Sequence, residues 1–206
     1  MTIETNIEVK ISQGNSKMGI ISSVSLPTGI TCRDDCECIK KCYAKKIERL
    51  RPSVRKTYEN NYQILKSDPA LYWREIETSI KMSRFFRFHV AGDIPDRDYL
   101  ECMVKVAYNN PKCEILCFTK KYSIVNEYIH ANKCIPDNLH IVFSGWRGIP
   151  MDNPYNLPEA HVRYRDGTTT ARDDAHECLG NCTKCAIIDT GCWVLKSGEQ
   201  IIFNEH

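Results

Sequence analysis

The chain has 206 residues, 42% hydrophobic and 26% charged, with a formal net charge of +2. That is the make-up of an ordinary globular protein of one domain with a small appendage, and it excludes a global electrostatic affinity for nucleic acid or membrane. No apolar run approaches the roughly 18 to 20 residues a bilayer requires.

Hydrophobic periodicity predicts the elements in chain order. GIISSVSLP at 19–27 is short and β-branched and stops at Pro27 and Gly29, so it reads as a strand leading into a cysteine loop. After Cys42, the residues Ile47, Leu50, Val54, Tyr58, Tyr62 and Leu65 recur three or four apart as one helical face, divided by Pro52. Asp68 and Pro69 read as the N-cap and first residue of a helix carrying Ile76 and Ile80. RFFRFHVA at 84–91 reads as a second strand, and Tyr99, Met103 and Val106 mark the next helix. EILCFTK at 114–120, a short helix at 124–129 and LHIVFSGW at 139–146 complete the series.

Strands alternating with helices imply parallel βαβ units in an α/β fold. Only about four units fit before the second cysteine cluster, whereas a closed barrel needs about 250 residues. The expected architecture is a partial (β/α) barrel or open parallel sheet over 1–150, followed by a loop and a cysteine-rich module over 151–206. The stretch from Met151 to Asp174, rich in Pro, Asn, Asp and Thr, reads as a long loop. In either architecture binding groups gather at the carboxyl edge of the strands, which places the first cysteine loop, Gly92-Asp93, Lys120-Lys121 and Gly145-Trp146-Arg147 together.

Twelve cysteines are the strongest chemical signal. A disulfide scaffold belongs to short secreted chains, and the start MTIETNIEVKIS has no charged start, apolar run or small-residue cleavage site, so a cytoplasmic protein with reduced thiols is expected. Cys32, Cys38 and Cys42 precede a basic helix, and Cys178, Cys182, Cys185 and Cys192 follow one another at intervals of three, two and six residues. Such density is metal-site spacing. Three thiolates on a 4Fe–4S cluster leave one iron open for substrate or cofactor, and Cys36 is the doubtful fourth member. The C-terminal four can close a 4Fe–4S cluster or wrap a tetrahedral zinc. Cys102, Cys113, Cys117 and Cys134 read as buried thiols, and His176 as a bystander beside Cys178.

Strand alternation puts Phe85, Arg87 and His89 on one face of the second strand, where Arg87 and His89 are candidates for anion binding and proton transfer. Thr119, Ser144 and Arg147 would complete a polar cavity. Residues 33–56 carry nine Lys or Arg against four Asp or Glu, a face that can offset a thiolate cluster or follow phosphate.

The segments LPTGITC through CYAKK, FRFHVAGDIPDRDYL, CFTKKY, IVFSGWRG and CLGNCTKCAIIDTGCW resemble the phage gene-product 88 family over roughly residues 20 to 195, and more distantly the radical S-adenosylmethionine enzymes. The second resemblance implies a 4Fe–4S cluster on Cys32, Cys38 and Cys42 whose open iron chelates S-adenosylmethionine, with Gly92 and Asp93 where those enzymes hold the methionine amine; Ser144, from its place near the end of a later strand, is expected as a further cofactor contact. It also implies an auxiliary C-terminal cluster and an electron donor in the host cytoplasm. The usual loop has intervals of three and two residues, whereas Cys32, Cys38 and Cys42 have five and three. The alternatives are a non-enzymatic protein whose saturated clusters are structural or redox-sensing, and a protein with two zinc sites.

Overall fold

The structure is a computed structural model and describes residues 8–35, 37–132 and 134–205. Seven parallel strands form one sheet: β1 (Ser22–Val24), β2 (Phe85–Phe88), β3 (Glu114–Thr119), β4 (Leu139–Ser144), β5 (Glu159–Arg163), β6 (His176–Glu177) and β7 (Gln200–Asn204), in the order β1-β2-β3-β4-β5-β7-β6. The helices are α1 (Tyr43–Leu50), α2 (Pro52–Ser67), α3 (Pro69–Lys81), α4 (Arg97–Asn109), α5 (Tyr122–Asn132) and α6 (Cys182–Ile187).

Local chemistry explains the helix starts. Pro52 separates α1 from α2 because it supplies no N–H to the helix before it and has the φ a helix needs at its first position. Asp68 caps α3, its carboxylate accepting from Leu71 N at 2.9 Å, and Asp96 caps α4 by accepting from Tyr99 N. Asp68→Ala should lower stability by about 1 kcal/mol, measured as a shift of the urea midpoint at constant slope.

Strand alternation divides the sheet into two faces. Val24, Phe86, Phe88, Ile115, Cys117, Ile141 and Phe143 pack beneath α2 to α5, against Ile64, Tyr72, Ile76, Leu100, Met103 and Val125. Each such side chain, fully removed from water, contributes about 1.5–3 kcal/mol. Leu116, Val142, Ala160 and Ile201 point the other way and meet Met18, Ile21, Cys185, Ala186 and Trp193.

This second face is concave. Phe118 of β3 and Phe203 of β7 have ring centroids 5.9 Å apart although β4 and β5 lie between their strands. In a flat sheet three strand spacings would separate them by about 14 Å. The arm before β1 spans the open side: Cys182 N donates to Lys17 O at 2.9 Å and Thr183 Oγ1 to Met18 O at 2.6 Å. A Cβ on Gly19 would lie 2.2 Å from Thr183 Oγ1, so this crossing requires glycine.

Two expectations need correction. The stretch 151–174 is not loop throughout, because it contains β5, and the segment after it adds β6 and β7 to the sheet. Their signals were masked by polar side chains whose partners mostly lie elsewhere in the chain: Glu159 Oε2 lies 2.9 Å from His161 Nε2 and accepts from Gln200 Nε2 at 2.6 Å, while Arg163 pairs with Glu177.

Candidate metal centre

At the carboxyl edge one carboxylate ties several loops together. Asp93 Oδ1 accepts from Thr119 Oγ1 at 2.6 Å and from Ile94 N at 2.7 Å, and Oδ2 accepts from Lys120 N at 2.9 Å. Its own N–H donates to Thr31 Oγ1 in the cysteine loop at 3.0 Å. Gly92 has φ 79°, and a Cβ there would lie 2.7 Å from both Leu26 O and Thr31 Oγ1, so the close approach of the two loops depends on glycine. Burial pushes the Asp93 carboxyl above its ordinary range, while the hydrogen bonds it accepts pull it back. Lys120 Nζ donates to Ser144 Oγ at 2.8 Å, and Tyr122 OH to Ser144 O at 2.6 Å. Cys32, Gly92, Asp93, Lys120 and Ser144 therefore share one edge. Both Asp93 oxygens and the Ser144 hydroxyl are engaged with protein groups. Arg147 is drawn to Asp166 at 2.9 Å and stacks 3.5 Å over Tyr164.

Arg87 and His89 do not share a face. β2 stops at Phe88 and His89 has φ 61°, which breaks the alternation the sequence implied. Its ring lies 5.4 Å from Tyr99 and 6.0 Å from Phe88, rings of the helix-covered side. His89 is 3% exposed, and neither ring nitrogen has a hydrogen-bond partner among the described residues. Burial, helped by the charge of Arg87, lowers its pKa to about 3. Arg87 keeps the concave side, its guanidinium 4.8 Å over the Phe118 ring.

The C-terminal cysteines assemble around α6. Cys178 N donates to Ile202 O of β7, and Cys178 Sγ accepts from Gly180 N at 3.4 Å. Asn181 caps α6 by accepting from Lys184 N at 2.8 Å, and Cys185 on the first turn is buried. Cys192 lies in a 3-10 turn, Gly191–Trp193, whose Trp193 meets Phe85 edge-on at 5.2 Å. Burial pushes the Cys192 thiol up to about 12; Arg87 pulls the other way, and Cys178, Cys182 and Cys185 add to the rise. All four thiols are thus within electrostatic reach of one another.

Cys32, Cys38 and Cys42 are half-buried at the carboxyl edge. Cys32 is pushed up, first by burial and then by Asp93 and Cys42, against the N–H of Gly29 and the charge of Lys120. Cys42 occupies the N-cap position of α1, and the adjacent Tyr43 donates its hydroxyl to Val90 O at 2.6 Å. Tyr43 lies within electrostatic reach of Cys42, Cys182 and Arg87. Cys36 lies outside the described residues. Cys113 and Cys117 are buried and Cys102 is half-buried, whereas Cys134 is exposed, contrary to expectation, because it follows α5 on the surface, 3.2 Å from Tyr108 OH. His176 is half a side chain in solvent and faces Glu199 at 3.8 Å.

Among the described residues, no three His, Cys, Asp or Glu side chains stand close enough to hold a metal ion together. The four thiols around α6 have the chemistry of zinc or iron–sulfur ligands, but in this structure they do not converge on one point. The N–H of Gly180 aims at Cys178 sulfur, as suits a thiolate. Gly191 has φ 63°, and a Cβ there would press to 3.3 Å from Cys185 Sγ.

One network was not foreseen. His161 is buried between Glu159 Oε2 at 2.9 Å and Thr170 Oγ1 at 2.8 Å, and a Cβ on Gly145 would lie 2.9 Å from its Nδ1. Only the i, i+2 spacing of Glu159 and His161 could have signalled it.

A family model described as Gene product 88 matches residues 4–193. The "Gene 88 protein" of Mycobacterium phage L5 and that of Mycobacterium phage D29 are each 28% identical over 145 residues, covering 64% of this chain and 59% of the relative. The chain thus spans less than two thirds of the length of these relatives. No solved structure matches.

Proposed function

The chain belongs to the phage gene product 88 family, and from its site we propose that it is an iron–sulfur protein with two cysteine-ligated centres. Cys178, Cys182, Cys185 and Cys192 would hold the C-terminal centre, and Cys32, Cys38 and Cys42 the N-terminal one. The observation that carries this reading is that four cysteines lie around α6 within electrostatic reach of one another, with Gly180 N–H aimed at one sulfur. Four thiolates also suit structural zinc. Cys182 and Cys42 both lie within electrostatic reach of Tyr43, and a pair of centres on either side of one tyrosine would suit electron transfer. Anaerobic purification should give brown protein with iron and acid-labile sulfide, and colourless protein with stoichiometric zinc would overturn the reading.

The N-terminal centre extends the proposal to catalysis. Cys32 lies beside Asp93 and Lys120 at the carboxyl edge of a parallel sheet, the edge where such folds bind ligands. A three-cysteine cluster there would leave one iron for S-adenosylmethionine, whose one-electron cleavage chemistry the reduced cluster supplies. Gly92 and Asp93 would border that ligand, Lys120 and Ser144 would line the concave side of it, and a host reductant would donate the electron. The engagement of both Asp93 oxygens favours a rival: a saturated, non-enzymatic centre whose basic α1 surface meets a partner. The two separate in one experiment. S-adenosylmethionine should change the electron paramagnetic resonance signal of the reduced protein and be cleaved to methionine and 5′-deoxyadenosine. An unchanged signal and intact S-adenosylmethionine would establish the saturated reading instead.

A further inference from the structure

Two cations on the concave face have no anion. Arg87 of β2 and Lys17 of the arm before β1 are both half-buried, and among the described residues no carboxylate pairs with either. The Nε of Arg87 is buried without a hydrogen-bond partner. Its guanidinium rests 4.8 Å over the ring of Phe118, that ring meets Phe203 at 5.9 Å, and Lys17 Nζ sits 5.1 Å over Phe203. Three separate segments of the chain thus build a row of cation, ring, ring, cation, and each member keeps part of its surface open to solvent. The carboxylate closest in sequence, Glu205 two residues beyond Phe203, does not answer the row, because it accepts from Lys41 Nζ at 2.9 Å and from Arg165 N at 3.0 Å. Tyr43 OH donates to Val90 O at 2.6 Å, so residues 41–43 bridge the ends of β7 and β2, the strands that carry Phe203 and Arg87.

A partly desolvated charge without a counter-charge costs the fold stability, which marks the row as a place for an anionic ligand. Its make-up selects the class. Two cations on adjoining rings match a ligand that carries more than one negative charge together with a flat, weakly polar part. A nucleotide has both: a guanidinium takes phosphate oxygens in pairs, and a base stacks on aromatic rings and on arginine planes. We propose that Arg87, Phe118, Phe203 and Lys17 form a binding site for a nucleotide unit, with its phosphates on the two cations and its base beside the rings. The unit is either a free nucleotide or part of a single strand. The site needs no metal ion and stands apart from the cysteine assignments made above.

Calorimetric titration at low salt tests it, with adenosine triphosphate, inorganic triphosphate and a short single-stranded oligonucleotide as the probes. Adenosine triphosphate or the oligonucleotide should bind one to one, about 5- to 100-fold tighter than inorganic triphosphate, which is the effect of one stacked base. Tighter binding of the oligonucleotide would identify a strand as the source of the unit, and tighter binding of adenosine triphosphate a free nucleotide. Arg87→Met keeps the aliphatic packing on Phe118 and should weaken the binding by about 10- to 100-fold, the effect of losing a charged hydrogen-bond donor. Lys17→Met should weaken it as well, and Arg87→Lys should lie between Arg87→Met and the natural protein. Arg55→Met, which removes an exposed cation of α2 that pairs with Glu59, should change nothing. If Arg87→Met fails to fold, Arg87→Lys and Lys17→Met decide. The proposal is overturned if neither adenosine triphosphate nor the oligonucleotide binds, or if inorganic triphosphate binds as tightly as both. It is equally overturned if the Arg87 and Lys17 variants bind as the natural protein does.

Discussion

Cys182→Ala and Cys185→Ala, purified without oxygen, are each expected to lose roughly half of the bound iron and sulfide and to melt well below the natural protein. Metal ligation at structural thiolate sites is worth about 10–16 kcal/mol in small zinc-binding peptides, and the part of it lost with one ligand is lost as folding energy. The effect should be large because α6, unlike the paired strands on either side of it, has little else to hold it. α6 has six residues, too few for a helix to be stable alone, and buries only Cys185 and Ala186. Its other anchors are Cys182 N and Thr183 Oγ1 on the arm before β1. Cys102→Ala, half-buried in α4 and remote from both sets in the chain, is the control and should retain full metal. Retention of full metal and stability by both C-terminal variants would remove these residues from the ligand set.

The second large effect is acid sensitivity from His89, measured on metal-free protein so that cluster loss does not contribute. Burial lowers its pKa from 6.5 to about 3 in the folded chain, so between those values the unfolded chain binds a proton that the folded chain refuses. Stability is therefore complete above about pH 6.5 and declines as pH falls, by about 1.4 kcal/mol per unit, towards a total of about 4–5 kcal/mol near pH 3. Asn accepts a positive φ better than most residues, so His89→Asn can occupy the φ of 61° without an ionisable ring. Urea midpoints at pH 7 and pH 4 should fall much less for His89→Asn than for the natural protein. Equal acid losses in both would mean that His89 is not held neutral by the fold.

The first four strands and the helices between them were legible because each follows a local rule: β-branched and aromatic runs for strands, spacings of three and four for helices, Asp68-Pro69 for a helix start. β5 and β7 were not, since their outward side chains are charged or amide groups that find partners only when distant segments meet, as Gln200 finds Glu159. The convergence of Cys32, Asp93 and Lys120 followed from topology alone, because every parallel strand delivers its following loop to one edge. The separation of His89 from Arg87 was hidden, since alternation assumes an extended backbone and a single positive φ ends it. The spacing of the cysteines could indicate metal chemistry but not how the thiols would be placed, since that depends on β7, which fixes Cys178, and on the turn at Gly191–Trp193.

The placing of β7 sets an order of events in time. It lies between β5 and β6, and Cys178 is fixed by a hydrogen bond from its N–H to Ile202 O, more than twenty residues further along the chain. While a ribosome is still making the protein, Cys178, Cys182, Cys185 and Cys192 all emerge before the strand that aligns the first of them. The proposed C-terminal centre would therefore gain its final alignment only after β7 has emerged. Until residues 200–204 have emerged and inserted between β5 and β6, Cys178 lacks the backbone partner that fixes it.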